Sequence, residues 1–234
     1  MKGNLFLAAL VVPGLLLVAR PADAITLGQL DDFQIGTTLG WTNGQQGGAP
    51  PVLNIATGGP AGAGDRFMQI SANGGASGGR LTVFNFQQWI GNNYVTAGVT
   101  ALSIDLRNQG TVPLSIRFAF QADAFNGAPG YLSSAMLLPV GGGWQHFTIS
   151  ITQANLIPVG GPAPFSTFYD NGNGWLRIIN EAGTSNLNGD MVVSQLGIDN
   201  ILAVPEPTTI ALLGGGLVSL GGWAAHRARR AVSA

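Results

Sequence analysis

The chain has 234 residues, a formal net charge of −1, 36 glycines, no cysteine and a charged fraction of only 9%. The lack of cysteine excludes a disulfide scaffold and any cysteine-ligated metal site, and the near-zero charge provides no basic surface for nucleic acid. Glycine is about twice as frequent as usual. Because glycine loses the most backbone entropy on ordering, a mainly helical protein is not expected.

Residues 1–24 have the three parts of a secretory signal peptide. A positive start at Lys2 precedes an apolar run over residues 5–19, and Ala22-Asp23-Ala24 provides an A-x-A cleavage site. We therefore predict export by the Sec machinery, with cleavage after Ala24.

Residues 25–203 form the predicted folded domain, and alternation of apolar and polar residues with period two is its dominant pattern. Each alternating stretch predicts a strand with one buried and one solvated face. Clusters of Gly, Asn, Asp and Pro separate these stretches, and no window of helical length has an apolar stripe of period 3.6. The predicted strands cover residues 66–71, 81–86, 102–107, 114–121, 132–138, 147–151, 175–180 and 191–202.

Eight to ten short strands without helices predict an all-β fold of two packed antiparallel sheets, a β-sandwich of jelly-roll type. Residues 25–204 carry five arginines, nine acidic residues and no lysine, which gives a net charge of −4. A mildly acidic surface that is rich in Gly, Asn and Gln suits neutral or cationic glycans better than anionic polymers.

The C-terminal residues 204–230 combine a Val-Pro-Glu-Pro motif, an apolar stretch and a basic cluster. Residues 208–225 contain no charge, and as a single transmembrane helix they would span about 27 Å, just enough for the hydrocarbon core. Basic residues beyond such a helix stay in the cytoplasm, so the domain is predicted to lie outside the inner membrane. Five glycines weaken the helix by roughly 1 kcal/mol each relative to alanine, which favours a transient anchor.

This arrangement closely resembles the PEP-CTERM sorting signal of Gram-negative bacteria. The resemblance implies recognition by an exosortase, removal of the tail, and release to the cell surface or the extracellular polysaccharide matrix. An ordinary membrane anchor with a chance Pro-Glu-Pro is the alternative. The residues that carry the resemblance are Pro205, Glu206, Pro207, Arg227, Arg229 and Arg230.

Short motifs in the domain resemble the galactose-binding-like jelly rolls that serve as carbohydrate-binding modules. They are Asp31-Asp32-Phe33, Gly40-Trp41, the predicted strand 102–107, the stretch that begins at Gly143-Trp144, and the closing segment 196–201. The resemblance implies that the first and last strands are neighbours and can hold a structural Ca²⁺ through Asp32 and Asp199. Calcium takes six to eight oxygen ligands, which carboxylates and carbonyls supply. Asp31 and Asp32 face opposite ways in an extended chain, so only one of them is expected to ligate; solvated strand residues are the alternative.

Carbohydrate recognition needs accessible aromatic faces for sugar rings, with amides or carboxylates around them. Two aromatic pairs lie among Asn, Gln and Asp residues, one on each side of residue 130. The alternative is that such aromatics fill the core, as we expect for Trp41 and Trp144. The candidate carbohydrate-binding residues are Trp89, Tyr94, Tyr169 and Trp175.

Catalysis has weaker support in the sequence. Residues 75–79 satisfy G-x-S-x-G but lie in a glycine-rich loop between strands, without the strand-turn-helix context of a nucleophile elbow. His146 is the single histidine of the domain, and no carboxylate pair is marked by spacing for glycoside hydrolysis. We therefore predict a noncatalytic polysaccharide-binding protein, with a structural matrix protein or a polysaccharide-degrading enzyme as alternatives.

Overall fold

The computed structural model describes residues 25–44, 50–85, 87–89, 94–121, 129–161, 165 and 175–205. Within these ranges the chain forms 13 β-strands and two short 3₁₀ turns, Ser77–Gly79 and Gln153–Asn155. The strands are β1 Leu30–Asp31, β2 Trp41–Thr42, β3 Leu53–Ile55, β4 Phe67–Asn73, β5 Thr82–Asn85, β6 Ala101–Asn108, β7 Leu114–Gln121, β8 Gly130–Leu132, β9 Met136–Leu138, β10 Gln145–Ser150, β11 Ile157–Val159, β12 Trp175–Asn180 and β13 Val193–Val204.

The strands form two antiparallel sheets. Sheet A has the order β10-β6-β13-β4-β3, with β1 also paired to β13, and sheet B has the order β11-β8-β7-β12-β5-β2, with β9 also paired to β7. The main core lies between the sheets and contains the alternate residues of β6 and β7 that the sequence pattern selects, such as Leu102, Ile104 and Phe118. Trp41 is also buried there, as expected. The predicted all-β antiparallel sandwich is thus confirmed.

Four strands escape prediction because β1, β2, β3 and β11 have only two or three residues each, too few to show a period. The predicted strand 132–138 is in fact two strands. Leu132 pairs with Ala119 of β7 and Met136 pairs with Ile116. The segment from Leu132 to Met136 is therefore one residue longer than the segment of β7 that it faces. Such an extra residue interrupts the ladder as a β-bulge.

A second irregularity lies in the long central strand β13. Asp199 pairs with Asp105 of β6 and Leu202 pairs with Ser103, which leaves one extra residue in β13 between these pairs. Asn200 occupies the bulge with a φ of 50°, a left-handed conformation that Asn adopts more readily than most residues. At the bulge the Asn200 side chain reaches β6, where its Nδ2 donates to Asp105 Oδ2 at 2.7 Å.

The first and last strands of the domain are neighbours, as predicted. Leu30 pairs with Leu202 and Asp31 pairs with Ile201. This pairing brings the acidic residues at the start of the domain close to Asp199 near its end. The domain boundaries themselves stay a prediction, since residues 1–24 and 206–234 lie outside the described ranges.

Candidate functional site

Two of the predicted carbohydrate-binding aromatics are buried in the core. Trp89 is 0% exposed and Tyr94 is 2% exposed. Tyr94 packs edge-on against Phe120 of β7, with ring centroids 5.7 Å apart. A sugar ring can stack only on an accessible aromatic face. The prediction that Trp89 and Tyr94 bind carbohydrate is therefore wrong, and both side chains stabilise the sandwich instead.

The Trp89 indole has a specific buried partner, Asp31. The Nε1 groups of Trp41 and Trp89 both donate to Asp31 Oδ2 at 2.7 Å, and Gln88 Nε2 lies 3.1 Å from each carboxylate oxygen. Burial raises the pKa of Asp31, while these donors oppose the increase. The Asp31 centre, composed of Asp31, Trp41, Gln88 and Trp89, is thus a saturated hydrogen-bonded structural unit.

Trp175 begins β12 on the outer face of sheet B and is only partly buried. Its ring lies 5.9 Å from the Phe84 ring of β5, and Gln121 is its pairing partner on β7. Arg177 Cζ lies 5.6 Å from the centroid of the same Phe84 ring, and burial lowers the pKa of Arg177 to about 10. An aromatic face, an amide and a guanidinium group therefore share this part of the sheet, which we call the Trp175 face.

Segment 181–190 crosses the outer side of sheet B beside the Trp175 face. Its Leu187 lies over Gly130, where a Cβ would come within 2.7 Å of Leu187 Cδ1. Two buried arginines hold the segment: Arg177 Nη1 donates to the Leu187 carbonyl at 3.0 Å, and Arg117 Nε donates to the Glu181 carbonyl at 2.9 Å. Burial lowers the pKa of Arg117, and Glu181 opposes that change. Both arginines therefore contribute to the fold.

Four aspartates, Asp32, Asp65, Asp105 and Asp199, lie close together on the outer side of sheet A. We call them the acidic cluster, and Asp199 is at its centre. This residue is 0% exposed, and its Oδ1 accepts the Asn200 amide at 2.8 Å. Oδ2 is buried and receives no hydrogen bond from any described residue. Burial raises the pKa of Asp199 to about 7, and the carboxylates of Asp65, Asp105 and Asp32 add to the increase.

The loop before β4 brings Asp65 to this cluster. A Cβ at Gly59 would lie 2.5 Å from Asp65 Oδ2 and 3.2 Å from Asp199 Oδ2, so the two carboxylates converge beside a position that only glycine can occupy. Asp65 Oδ2 also accepts the Ala61 amide at 2.7 Å, and Asp65 Oδ1 accepts from Gln34 Nε2 at 2.7 Å. The sequence analysis did not identify Asp65 as a site residue. The glycine-rich segment 58–64 directly before it could have indicated a loop that packs closely against another part of the chain.

Asp105 links the cluster to the neighbouring strand. Its Oδ2 accepts from Asn200 Nδ2 at 2.7 Å, and its Oδ1 lies 2.8 Å from His146 Nδ1. The His146 side chain is 61% exposed. The domain's single histidine thus pairs with an aspartate, and the described residues place no serine or threonine hydroxyl against it.

Trp144 lies on the outer side of sheet A and not in the core, where it was expected. It is partly buried on the outer side of sheet A, and a Cβ at Gly197 would come within 2.9 Å of Trp144 Cη2. Its ring packs edge-on against Phe67 at 5.2 Å, and its Nε1 donates to the Gly58 carbonyl at 2.9 Å. The prediction failed because period-two alternation places Trp144 on the same face as His146, the outer one.

The geometry fits a cation only in part. Asp32 is partly buried, and its Oδ1 accepts the Gln34 amide at 3.2 Å. Across the described ranges, no three His, Cys, Asp or Glu side chains form a group that could hold a metal ion by themselves. An orphaned buried oxygen on Asp199 and the converging Asp65 carboxylate favour a cation, but main-chain carbonyls would have to complete its coordination.

Several predicted sites fall outside the described residues. They are Ala24 of the cleavage site, Tyr169, and Glu206, Pro207, Arg227, Arg229 and Arg230 of the tail. Pro205 is described and is partly buried directly after β13. Of the helices in the described part of the chain, none is long and apolar enough to span a membrane; the predicted helix 208–225 lies outside that part.

A family described as the PEP-CTERM protein-sorting motif matches residues 203–230. The tail carries a PEP-CTERM sorting motif. This confirms the resemblance seen in the sequence and indicates an exported protein that is sorted to the cell surface. The PEP-CTERM match begins within β13, so no linker separates the last strand from the motif.

Comparison with curated proteins found no match. Among solved structures, the chain is similar to a family 11 carbohydrate-binding module from Clostridium thermocellum in complex with a beta-1,3-1,4-mixed-linked tetrasaccharide, at 13% identity and a TM-score of 0.46, over 77% of this chain and 96% of that one. A tandem CBM22 domain of Paenibacillus barcinonensis Xyn10C gives 16% identity, a TM-score of 0.41, and coverage of 77% and 46%. An exo-beta-agarase gives 11% identity and a TM-score of 0.46, and the similar region covers 77% of this chain and 26% of that one.

Proposed function

We propose that the protein is exported by the Sec machinery, anchored transiently in the inner membrane by residues 208–225, and released by an exosortase to the cell surface or extracellular matrix of a Gram-negative bacterium. The observation that carries this proposal is the PEP-CTERM motif at residues 203–230. An uncharged segment and an arginine cluster follow Pro205 in the order that such a route requires. At its destination the folded domain binds polysaccharide without cleaving it.

The Trp175 face is the proposed polysaccharide site. Trp175 is the single described member of the four predicted aromatics that retains exposure. Phe84, Gln121 and Arg177 lie beside it on the same face, but they are only 6%, 2% and 5% exposed, so they support the Trp175 ring and do not themselves contact a ligand. A partly exposed indole on the outer face of a sheet offers the apolar surface on which a neutral sugar ring can stack.

Noncatalytic binding accounts for these groups better than hydrolysis. The described part of the Trp175 face contains no carboxylate, whereas glycoside hydrolysis uses a pair of them. The paired His146 and Asp105 lie on sheet A, on the other side of the sandwich. The G-x-S-x-G stretch runs from strand β4 through a 3₁₀ turn into strand β5, which is not the strand-turn-helix of a nucleophile elbow.

The acidic cluster is the proposed site of a structural Ca²⁺. Asp199 Oδ2 and Asp65 Oδ2 would hold the ion, with Asp32 close by and carbonyl oxygens completing the coordination. The positive charge of the bound ion would balance the negative charge of the buried Asp199 carboxylate. Support comes from the orphaned oxygen of Asp199 and from the glycine at position 59, which leaves room for the two carboxylates to converge.

The test of polysaccharide binding compares two tryptophan variants of the full chain. Exopolysaccharide isolated from the producing bacterium is titrated by calorimetry, and its reducing ends are measured afterwards. Trp175→Ala is expected to weaken binding by about tenfold or more, which corresponds to about 1.4 kcal/mol. Trp144→Ala, another partly buried tryptophan but on sheet A, is the matched control and should bind normally.

Other outcomes of this test identify the alternatives. No binding by the unsubstituted chain would favour a structural matrix protein without a sugar site. New reducing ends would show a polysaccharide-degrading enzyme. Equal weakening of binding by both substitutions would show that Trp175 is not specifically part of the binding site.

A further inference from the structure

Both ends of the described chain leave the sandwich at the same place. The Ala203 carbonyl accepts a hydrogen bond from the Gly28 amide at 2.8 Å, and the Ala203 amide donates to the Gln29 carbonyl at 2.9 Å. Ile25 is only 2% exposed and packs into the same core. The segments that continue from these ends, residues 1–24 and 206–234, contain the two hydrophobic stretches of the chain.

Three further segments surround this exit. The Thr100 amide donates to the Val204 carbonyl at 3.2 Å, and the Ile151 amide donates to the Thr100 carbonyl at 2.8 Å. Just before Thr100, residues 94–99 form a turn that is closed by a bond from the Val99 amide to the Tyr94 carbonyl at 2.8 Å. We call residues 25–30, 94–101, 150–156 and 202–205 the exit surface.

The exit surface combines exposed apolar side chains with a lack of charge. Leu27 is 50% exposed, Leu30 is 47% exposed and Val95 is 54% exposed. None of the residues in its four segments is Asp, Glu, Lys, Arg or His. In a domain with a net charge of −4, a charge-free end can approach anionic lipid headgroups without repulsion and without burying an ion.

The tail leaves little distance between this surface and a membrane. Val204 is still paired within sheet A, to Ala101, and the uncharged stretch begins at residue 208. The four Cα–Cα steps from Val204 to residue 208 reach at most about 14 Å when extended, and the headgroup layer on each side of a bilayer takes up roughly 5–7 Å of that distance. Once residues 208–225 are inserted, the end of β13 therefore lies within about 10 Å of the headgroup layer.

We infer that the exit surface, with Leu27, Leu30 and Val95, is a membrane-contacting surface that rests on the phospholipid bilayer while the tail is attached. This inference rests on the proposed insertion of residues 208–225. It adds an orientation of the domain relative to the membrane: the C-terminal end of β13 lies at the bilayer, and Val193, at the N-terminal end of β13, lies on the side that is distant from the bilayer. The Pro-Glu-Pro motif is then held at the bilayer surface for cleavage, with the domain directly above it.

The experiment uses single-cysteine variants of the full chain, which has no native cysteine. Leu27→Cys and Val95→Cys each carry an environment-sensitive fluorophore at the exit surface. Val193→Cys, at a side chain that is 66% exposed at the far end of β13, is the matched control. Each chain is reconstituted into vesicles of phosphatidylethanolamine and phosphatidylglycerol, with and without brominated acyl chains that quench on contact.

Brominated lipid should reduce the emission at positions 27 and 95 and leave position 193 unchanged. If the tail is inserted, as shown by its protection from added protease, and the three labels are quenched equally or not at all, the inference is overturned while the membrane anchor stands. If the chain does not float with the vesicles, the proposed anchor itself fails, and the inference fails with it.

Discussion

Asp31 and Asp199 are both buried aspartates on the paired strands β1 and β13, yet their surroundings differ completely. Asp31 accepts hydrogen bonds from two tryptophan indoles and one glutamine amide. Asp199 has a buried oxygen that no described residue hydrogen-bonds, and three other aspartates are close enough to raise its pKa. A buried carboxylate with all its acceptor sites used contributes to the fold, whereas one with an oxygen left over is a candidate for binding.

The largest expected effect separates the two residues by stability in the presence of a chelator. Asp31→Ala should lower the free energy of unfolding by about 2–6 kcal/mol, because two buried indole donors lose their acceptor at about 1–3 kcal/mol each. Asp199→Asn should cost little or even stabilise the protein, since it removes a poorly solvated charge. Urea denaturation at neutral pH measures both. Equal losses for the two variants would contradict the distinction between these aspartates.

The next effect is the response to calcium. At a free Ca²⁺ concentration 100 times its Kd, binding to the folded state should raise the free energy of unfolding by about 2.7 kcal/mol. Asp199→Asn should abolish this gain by removing a ligand charge, whereas Asp31→Asn should keep it. Thermal unfolding with added Ca²⁺ or chelator checks both variants. An identical melting temperature in the two conditions for the unsubstituted chain would eliminate the calcium proposal.

A smaller effect is the dependence of stability on pH in chelator. The pKa of Asp199 is about 7 in the folded protein and about 3.9 in an unfolded chain, so the folded state binds this proton more tightly. The contribution of Asp199 to stability is therefore fully present below about pH 4 and is lost as the pH rises through about 7, by no more than about 1.4 kcal/mol per pH unit. Asp199→Asn removes the titrating group, so the difference between the two unfolding curves isolates it. A difference that grows in the opposite direction would show that Asp199 is ionised and stabilised by the fold.

Period-two alternation predicted the long strands well, because each strand of the sandwich buries one face. β6 and β7 are the clearest cases, and both bury the predicted residues. The alternation does not show that an apolar residue on the outer face can still be partly buried by a loop. Trp144 has the same phase as His146 and lies on the outer side of sheet A, where its Nε1 donates to the Gly58 carbonyl of the loop before β4.

Site prediction failed where it depended on composition. Trp89 lies among Gln and Asn residues, which suggested a sugar site, but the neighbouring Gln88 donates to the buried Asp31 carboxylate, which also accepts from the Trp89 indole. Asp199 was found because resemblance placed it opposite Asp32. Asp65 was missed because its contact with Asp199 depends on the path of a loop, which strand periodicity does not encode.

The smallest expected effect concerns His146, which contacts the acidic cluster only from outside. Its side chain is 61% exposed, so the contact with Asp105 is solvated, and His146→Ala should change the free energy of unfolding by less than about 1 kcal/mol. Asp105→Ala should cost more, because it also removes the acceptor of Asn200 Nδ2, which helps to hold the left-handed bulge beside Asp199. Asp105→Asn keeps an acceptor oxygen there and should recover part of that loss. Urea denaturation of the three variants in chelator measures this order, and a larger loss for His146→Ala than for Asp105→Ala would place His146 among the residues that hold the cluster together.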